Sequence, residues 1–182
     1  MNHVNLNTSY QKGRGTLRNI VALAMTLMCT GCVAMSRMES AVVTDREGLP
    51  CFSVPHTSET ATGIPLYGIS VDEPKAVAGK TMPDTYWTMG MSPPGNSILL
   101  QPHDCIRYGD KPANSFTPMG PAKPLEPFHV YFVTLNARPA GSNIGHYGAK
   151  FCLKPAANGK MKVQQIFINE SEPDRPGACT QR

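Results

Sequence analysis

The chain has 182 residues, 41% of them hydrophobic, and a formal charge of +4. That charge points to a polyanionic partner only until it is located, because Lys12, Arg14 and Arg18 are the only charged residues before Cys32 and the remainder holds 14 basic against 13 acidic residues. A near-neutral remainder without a long run of like charge excludes nucleic-acid binding on electrostatic grounds, and about 150 residues suit one domain rather than two.

In chain order, the first 31 residues combine a basic start, an apolar stretch from Ile20 to Met28 and small residues at its end. The stretch is too short to cross a bilayer, which takes about 20 residues, so residues 1–31 are expected to be a cleaved export signal. The run Leu27-Met28-Cys29-Thr30-Gly31-Cys32 resembles the cleavage site of bacterial lipoproteins. It departs from the usual pattern at Cys29, where an aliphatic residue is common; Cys is small and apolar enough to take that place. The resemblance implies that Cys32 becomes the first mature residue and carries acyl chains, palmitate among them, on its sulfur and amine. Two or more chains anchor stably where one does not. Val33 after the modified cysteine implies outer-membrane sorting, with the protein facing the periplasm. Residues 32–44 are then the lipidated cysteine and a slack tether, and residues 45–182 form one domain.

Six cysteines become four once Cys29 leaves with the signal and Cys32 takes lipid. Cys51, Cys105, Cys152 and Cys179 are an even set in an oxidising compartment, where thiols pair. Their wide spacing lacks any C-x-x-C element, which argues against zinc. The favoured pairs are Cys51 with Cys105 and Cys152 with Cys179. The second would fasten the C-terminus by closing a loop worth roughly 3 kcal/mol. Spacing alone leaves all three connectivities open.

The first clear strand is Leu49 to Val54. Ile64 to Val71 alternates, with Pro65, Tyr67, Ile69 and Val71 forming the more apolar face and the expected core side. Asp72 to Asp84, with two prolines and two lysines, reads as a loop. Thr85 to Met91 resumes strand chemistry around Trp87, expected in the core rather than stacked on a ligand. Pro93-Pro94-Gly95-Asn96 is a turn, and Ser97 to Leu100 and Asp104 to Tyr108 are short strands. Gly109 to Pro127 holds five prolines, so it cannot lie inside a sheet and must cross an end or run over the surface. Phe128 to Ala137 is the strongest strand. Tyr147 to Lys154 and Lys160 to Asn169 form a hairpin around Asn158-Gly159. Eight or nine short strands predict an all-β, antiparallel β-sandwich of immunoglobulin-like type, with a small antiparallel barrel as the alternative.

No catalytic signature is present: no G-x-S-x-G elbow, H-E-x-x-H helix, phosphate loop or dinucleotide fingerprint. His56, His103, His129 and His146 are isolated. His103 and Asp104 would point to opposite faces of a strand, and His129 with His146 make a poor metal site without an acid or thiolate. The expectation is a binding protein, with no catalytic residue, no metal and no cofactor.

Four segments carry a wider resemblance: Gly48-Leu49-Pro50-Cys51-Phe52, Pro65-Leu66-Tyr67-Gly68-Ile69-Ser70-Val71, Cys105-Ile106-Arg107-Tyr108-Gly109 and Phe151-Cys152-Leu153-Lys154. With the cleavage site they resemble enterobacterial periplasmic lipoproteins of the type VI secretion immunity class, over residues 48 to 168. The resemblance implies a membrane-held protein that neutralises a protein toxin by occlusion. Docking is expected through Asp72 to Asp84, Gly109 to Pro127 and Arg138 to Gly145, without any single residue assigned as a hot spot. The alternatives are an envelope assembly or scaffolding lipoprotein and a glycan-binding or hydrolytic periplasmic protein.

Overall fold

The computed structural model describes residues 37–77, 80–91, 96–111, 116–157, 159–167 and Cys179. The signal segment and Cys32 lie outside them. Among the described residues there is no helix, and eleven strands form two sheets that pack as a β-sandwich. The strands are β1 (Arg37–Ser40), β2 (Val42–Arg46), β3 (Leu49–Ser53), β4 (Ile64–Val77), β5 (Lys80–Met91), β6 (Ile98–Leu100), β7 (Ile106–Arg107), β8 (Phe116–Pro118), β9 (Tyr131–Ala137), β10 (Ile144–Pro155) and β11 (Met161–Ile166). The large sheet runs β1-β10-β9-β4-β5-β8, with β11 on β10 and β6 on β4; the small sheet is β2-β3-β7. Neighbours are antiparallel except β1 with β10.

The core forms because alternate residues of each strand are apolar. In β9, Tyr131, Val133, Leu135 and Ala137 are fully buried, and the residues between them are not. Phe52 of the small sheet reaches the large sheet between Phe151, at 5.5 Å between ring centroids, and Trp87, at 6.3 Å. Trp87 also meets Tyr108 edge-on at 5.3 Å and is only 3% exposed, so it is a core residue. Such aromatic contacts add to the area term that dominates sheet-on-sheet packing.

Both disulfides form, Cys51–Cys105 and Cys152–Cys179. The first joins β3 to the residue before β7 within the small sheet, so it does not span the two sheets as in antibody domains. The second ties Cys179 to β10.

Four expectations need correction. Within the tether expected over residues 32–44, the described residues 37–44 are not slack, because β1 pairs with β10 and β2 pairs with β3; a parallel edge pairing leaves no local sequence signal. The alternation in Ile64 to Val71 changes face midway: Ile64, Leu66, Ile69 and Val71 are all buried, because the pairing with β9 slips between Leu66 and Gly68. Such a bulge inserts one residue and reverses parity beyond it. In the expected loop Asp72 to Asp84, Asp72 to Val77 and Lys80 to Asp84 are instead paired strands, the outer half of β4 and β5. Pro74 stands directly opposite Pro83, which confines both missing amides to one rung and leaves the others free to pair. The Pro-rich stretch after Gly109 does contribute a strand, the three-residue β8, at the edge where proline is tolerated.

Side chains close the seam between the sheets. Gln165 of β11 accepts from Val43 N at 2.8 Å and donates to Ala41 O at 2.9 Å. Asp45 of β2 accepts from Val163 N at 2.7 Å and from Gly48 N at 3.2 Å. The β2–β3 turn has both central residues at positive φ, Glu47 at 59° and Gly48 at 85°, the geometry of a two-residue hairpin that matches strand twist.

Candidate functional site

The β4–β5 hairpin projects beyond its neighbours. β9 accompanies β4 only as far as the Asp72–Phe132 rung, and β8 accompanies β5 only from Met89 to Met91. An arm of two strands is marginal alone in water, so its root must be held by side chains. Alternation on each strand places Glu73 and Lys75 of β4 beside Asp84 of β5, on the face from which Tyr86 reaches Glu73. Glu73 receives Tyr86 Oη at 2.9 Å and His129 Nδ1 at 2.7 Å, with Lys75 Nζ at 3.4 Å. Asp84 accepts from Lys75 at 2.6 Å and from Lys123 at 2.8 Å. His129 Nε2 lies 3.2 Å from Glu126, whose main-chain amide donates to Tyr131 Oη at 2.8 Å. Lys123 and Lys75 also lie over the Tyr86 ring, at 5.2 and 5.9 Å from its centroid.

The electrostatics follow from these contacts. Burial alone would raise the Glu73 carboxyl, but hydrogen bonds from His129, Tyr86 and Lys75 outweigh it and hold the group below its ordinary value. The hydrogen bond from Lys123, then that from Lys75, draws Asp84 down to about 2. The hydrogen bond to Asp84 raises the Lys75 ammonium above its usual range. Desolvation, followed by the bond to Glu73, pushes Tyr86 up to about 12. Each shift favours the form already present at neutral pH. The charges of the cluster therefore reinforce its geometry. His129 turns its two ring nitrogens to different carboxylates, which is unsuited to converging on a cation, and no group of three metal-ligating side chains occurs among the described residues.

The segment after β8 locks onto the same root. Tyr108 Oη donates to Lys123 O at 2.7 Å, and Lys123 N donates to Tyr86 O at 2.9 Å. Ala122 and Leu125 pack against the core. The remaining histidines stand apart from this cluster. His103 is an exposed neighbour of Asp104 at 3.6 Å. His146 lies on β10 beside the Leu135 end of β9, whereas His129 precedes the other end of that strand, so the two do not meet. Two open depressions, of about 660 and 570 Å³, flank Glu47. The first is lined by Arg46, Arg107 and Lys111 against Glu47, Asp104 and Asp110, a balanced set without a preference for one sign of ligand.

Sequence reasoning missed Glu73, Lys75, Asp84 and Lys123. The spacing Glu73-x-Lys75 facing Asp84-x-Tyr86 was the available signal, since polar groups at period two mark an exposed strand pair. Lys123 and Glu126 had none, because they reach the site from a segment without periodicity. Compared with known proteins, the chain matches no family model, no curated protein and no solved structure.

Proposed function

We propose that this chain is a lipid-anchored lipoprotein facing the periplasm, whose sandwich binds a type VI secretion toxin and neutralises it by covering the toxin's working surface. The observation that supports the reading is that the start of β1 and the outer end of the β4–β5 arm lie at opposite ends of the large sheet. β1 begins at Arg37, five residues after Cys32, a reach of about 17 Å at full extension. β1 is parallel to β10, β10 is antiparallel to β9 and β9 is antiparallel to β4, so β1 and β4 run the same way. The Val77–Lys80 rung therefore lies at the end of the sheet away from Arg37. Lipid on Cys32 would hold one end near the membrane while the arm faces outward.

The resemblance of the four segments to immunity lipoproteins supports the same reading, as do two disulfides of the kind formed in oxidising compartments. The charge network at the arm's root supports it energetically. A surface already ordered loses little conformational freedom when a partner docks, which favours tight occlusion. Deleting the gene in cells that make each type VI toxin in their periplasm tests the proposal. Death of the deletion strain with one toxin, reversed by the wild-type gene, is the expected result; survival against every toxin overturns it.

A further inference from the structure

We propose that the toxin docks on the outer face of the large sheet, between the Gly68–Gly90 rung and the Pro74–Pro83 rung, and not in the depressions beside Glu47. This rests on the immunity reading above and names the surface that serves it.

The strand register builds this face. Ser40, Gly148, Thr134, Ser70 and Thr88 stand side by side across five strands, one small uncharged residue from each. Four of them are half-buried and Ser40 is exposed, so no third layer among the described residues encloses them. Small residues make the face flat. Above Gly148, where a Cβ would come within 2.7 Å of Phe132 Cζ and 2.9 Å of Met38 Sδ, the ring and the thioether converge into a low apolar ridge. On the other margin, Met119 lies over Gly90, 3.6 Å from where a Cβ would stand. Met38 and Met119 are 51% and 75% exposed. Exposed methionines bordering a rigid floor adapt to a partner's relief.

Charge and size decide the occupant. Within these rungs the charged side chains are Asp72, whose carboxylate accepts from Thr85 Oγ1 at 2.7 Å, and Lys150 at one corner. The outer layer of a sandwich is ordinarily solvated by charged residues; a band depleted of them and edged by Met and Phe has the composition of an interface centre. With strands ~4.8 Å apart and ~3.3 Å per residue over the seven residues from Gly68 to Pro74, the five strands present roughly 550 Å² of plane. That is nearer the ~800 Å² per partner of a standard heterologous complex than the ~1,000 Å² or more per subunit, more apolar as well, that obligate dimers bury. A different folded protein fits better than a second copy.

The test measures affinity of the full mature lipoprotein in detergent for the toxin against which the wild-type gene protects. Thr134→Lys, at the centre of the face, should weaken binding at least 30-fold, and Ser40→Lys, at its exposed corner, about fivefold. Arg46→Glu in the depression beside Glu47 should stay within threefold. Should Thr134→Lys fail to fold by circular dichroism, Ser40→Lys decides. Wild-type binding with Thr134→Lys and Ser40→Lys unaffected overturns the face while leaving the immunity reading intact. Absence of protection by the wild-type gene overturns the reading itself. A wild-type dimer in sedimentation that Thr134→Lys dissolves overturns the choice of occupant in favour of a second copy.

Discussion

Replacing Gln165 with alanine should open the seam between the two sheets. Its side-chain amide bonds both Val43 N and Ala41 O, at 2.8 and 2.9 Å, and those residues are only 6% and 1% exposed. Deleting the amide removes two hydrogen bonds and strands a donor and an acceptor where water enters poorly. Each orphaned group costs about 1–3 kcal/mol, so an overall loss of about 2–6 kcal/mol is expected. For a domain of this size that lowers the melting temperature by about 10 °C. Urea denaturation followed by circular dichroism measures the loss directly, with Gln164→Ala, on the exposed side of the same strand, as the control expected to stay within about 0.5 kcal/mol. If Gln165→Ala is as stable as that control, the seam is not held by this amide and the reasoning fails.

Other outcomes follow from the same geometry. Carboxyl titration by NMR should place Asp84 at about 2, and Lys123→Ala should move it upward; a midpoint near 3.9 in the wild type would contradict the network. Because this pKa is depressed on folding, the carboxylate's contribution to ordering the arm is complete above the unfolded value near 4 and is lost as pH falls towards 2. Removing Cys152–Cys179, which closes 27 residues, should cost about 3.5 kcal/mol, and removing Cys51–Cys105, which closes 54, about 4 kcal/mol, read from denaturation of the paired Cys→Ala variants. Phe52→Ala should cost about 3–5 kcal/mol, since its fully buried ring joins the sheets at Trp87 and Phe151; a loss below 1 kcal/mol would show that the core closes over the gap.

The sandwich was legible because its strongest strands repeat at period two: Tyr131, Val133, Leu135 and Ala137 announce one buried face without outside help. The parity of β4 was not, since a bulge near Tyr67 adds one residue whose presence only the register with β9 reveals. Proline content made residues 72–84 read as a loop, and it is the coincidence of Pro74 with Pro83 across the hairpin that makes a strand pair possible. The polar network and the Gln165 seam join residues separated by up to 124 positions, so neither leaves a local pattern.

Occlusion makes a stoichiometric demand that no scaffolding or hydrolytic role shares. Titrating the purified mature lipoprotein into the toxin's own activity assay measures it. Activity should fall linearly and vanish at one equivalent, while undiminished activity in tenfold excess, or full loss at a small fraction of an equivalent, would contradict neutralisation by a bound cover.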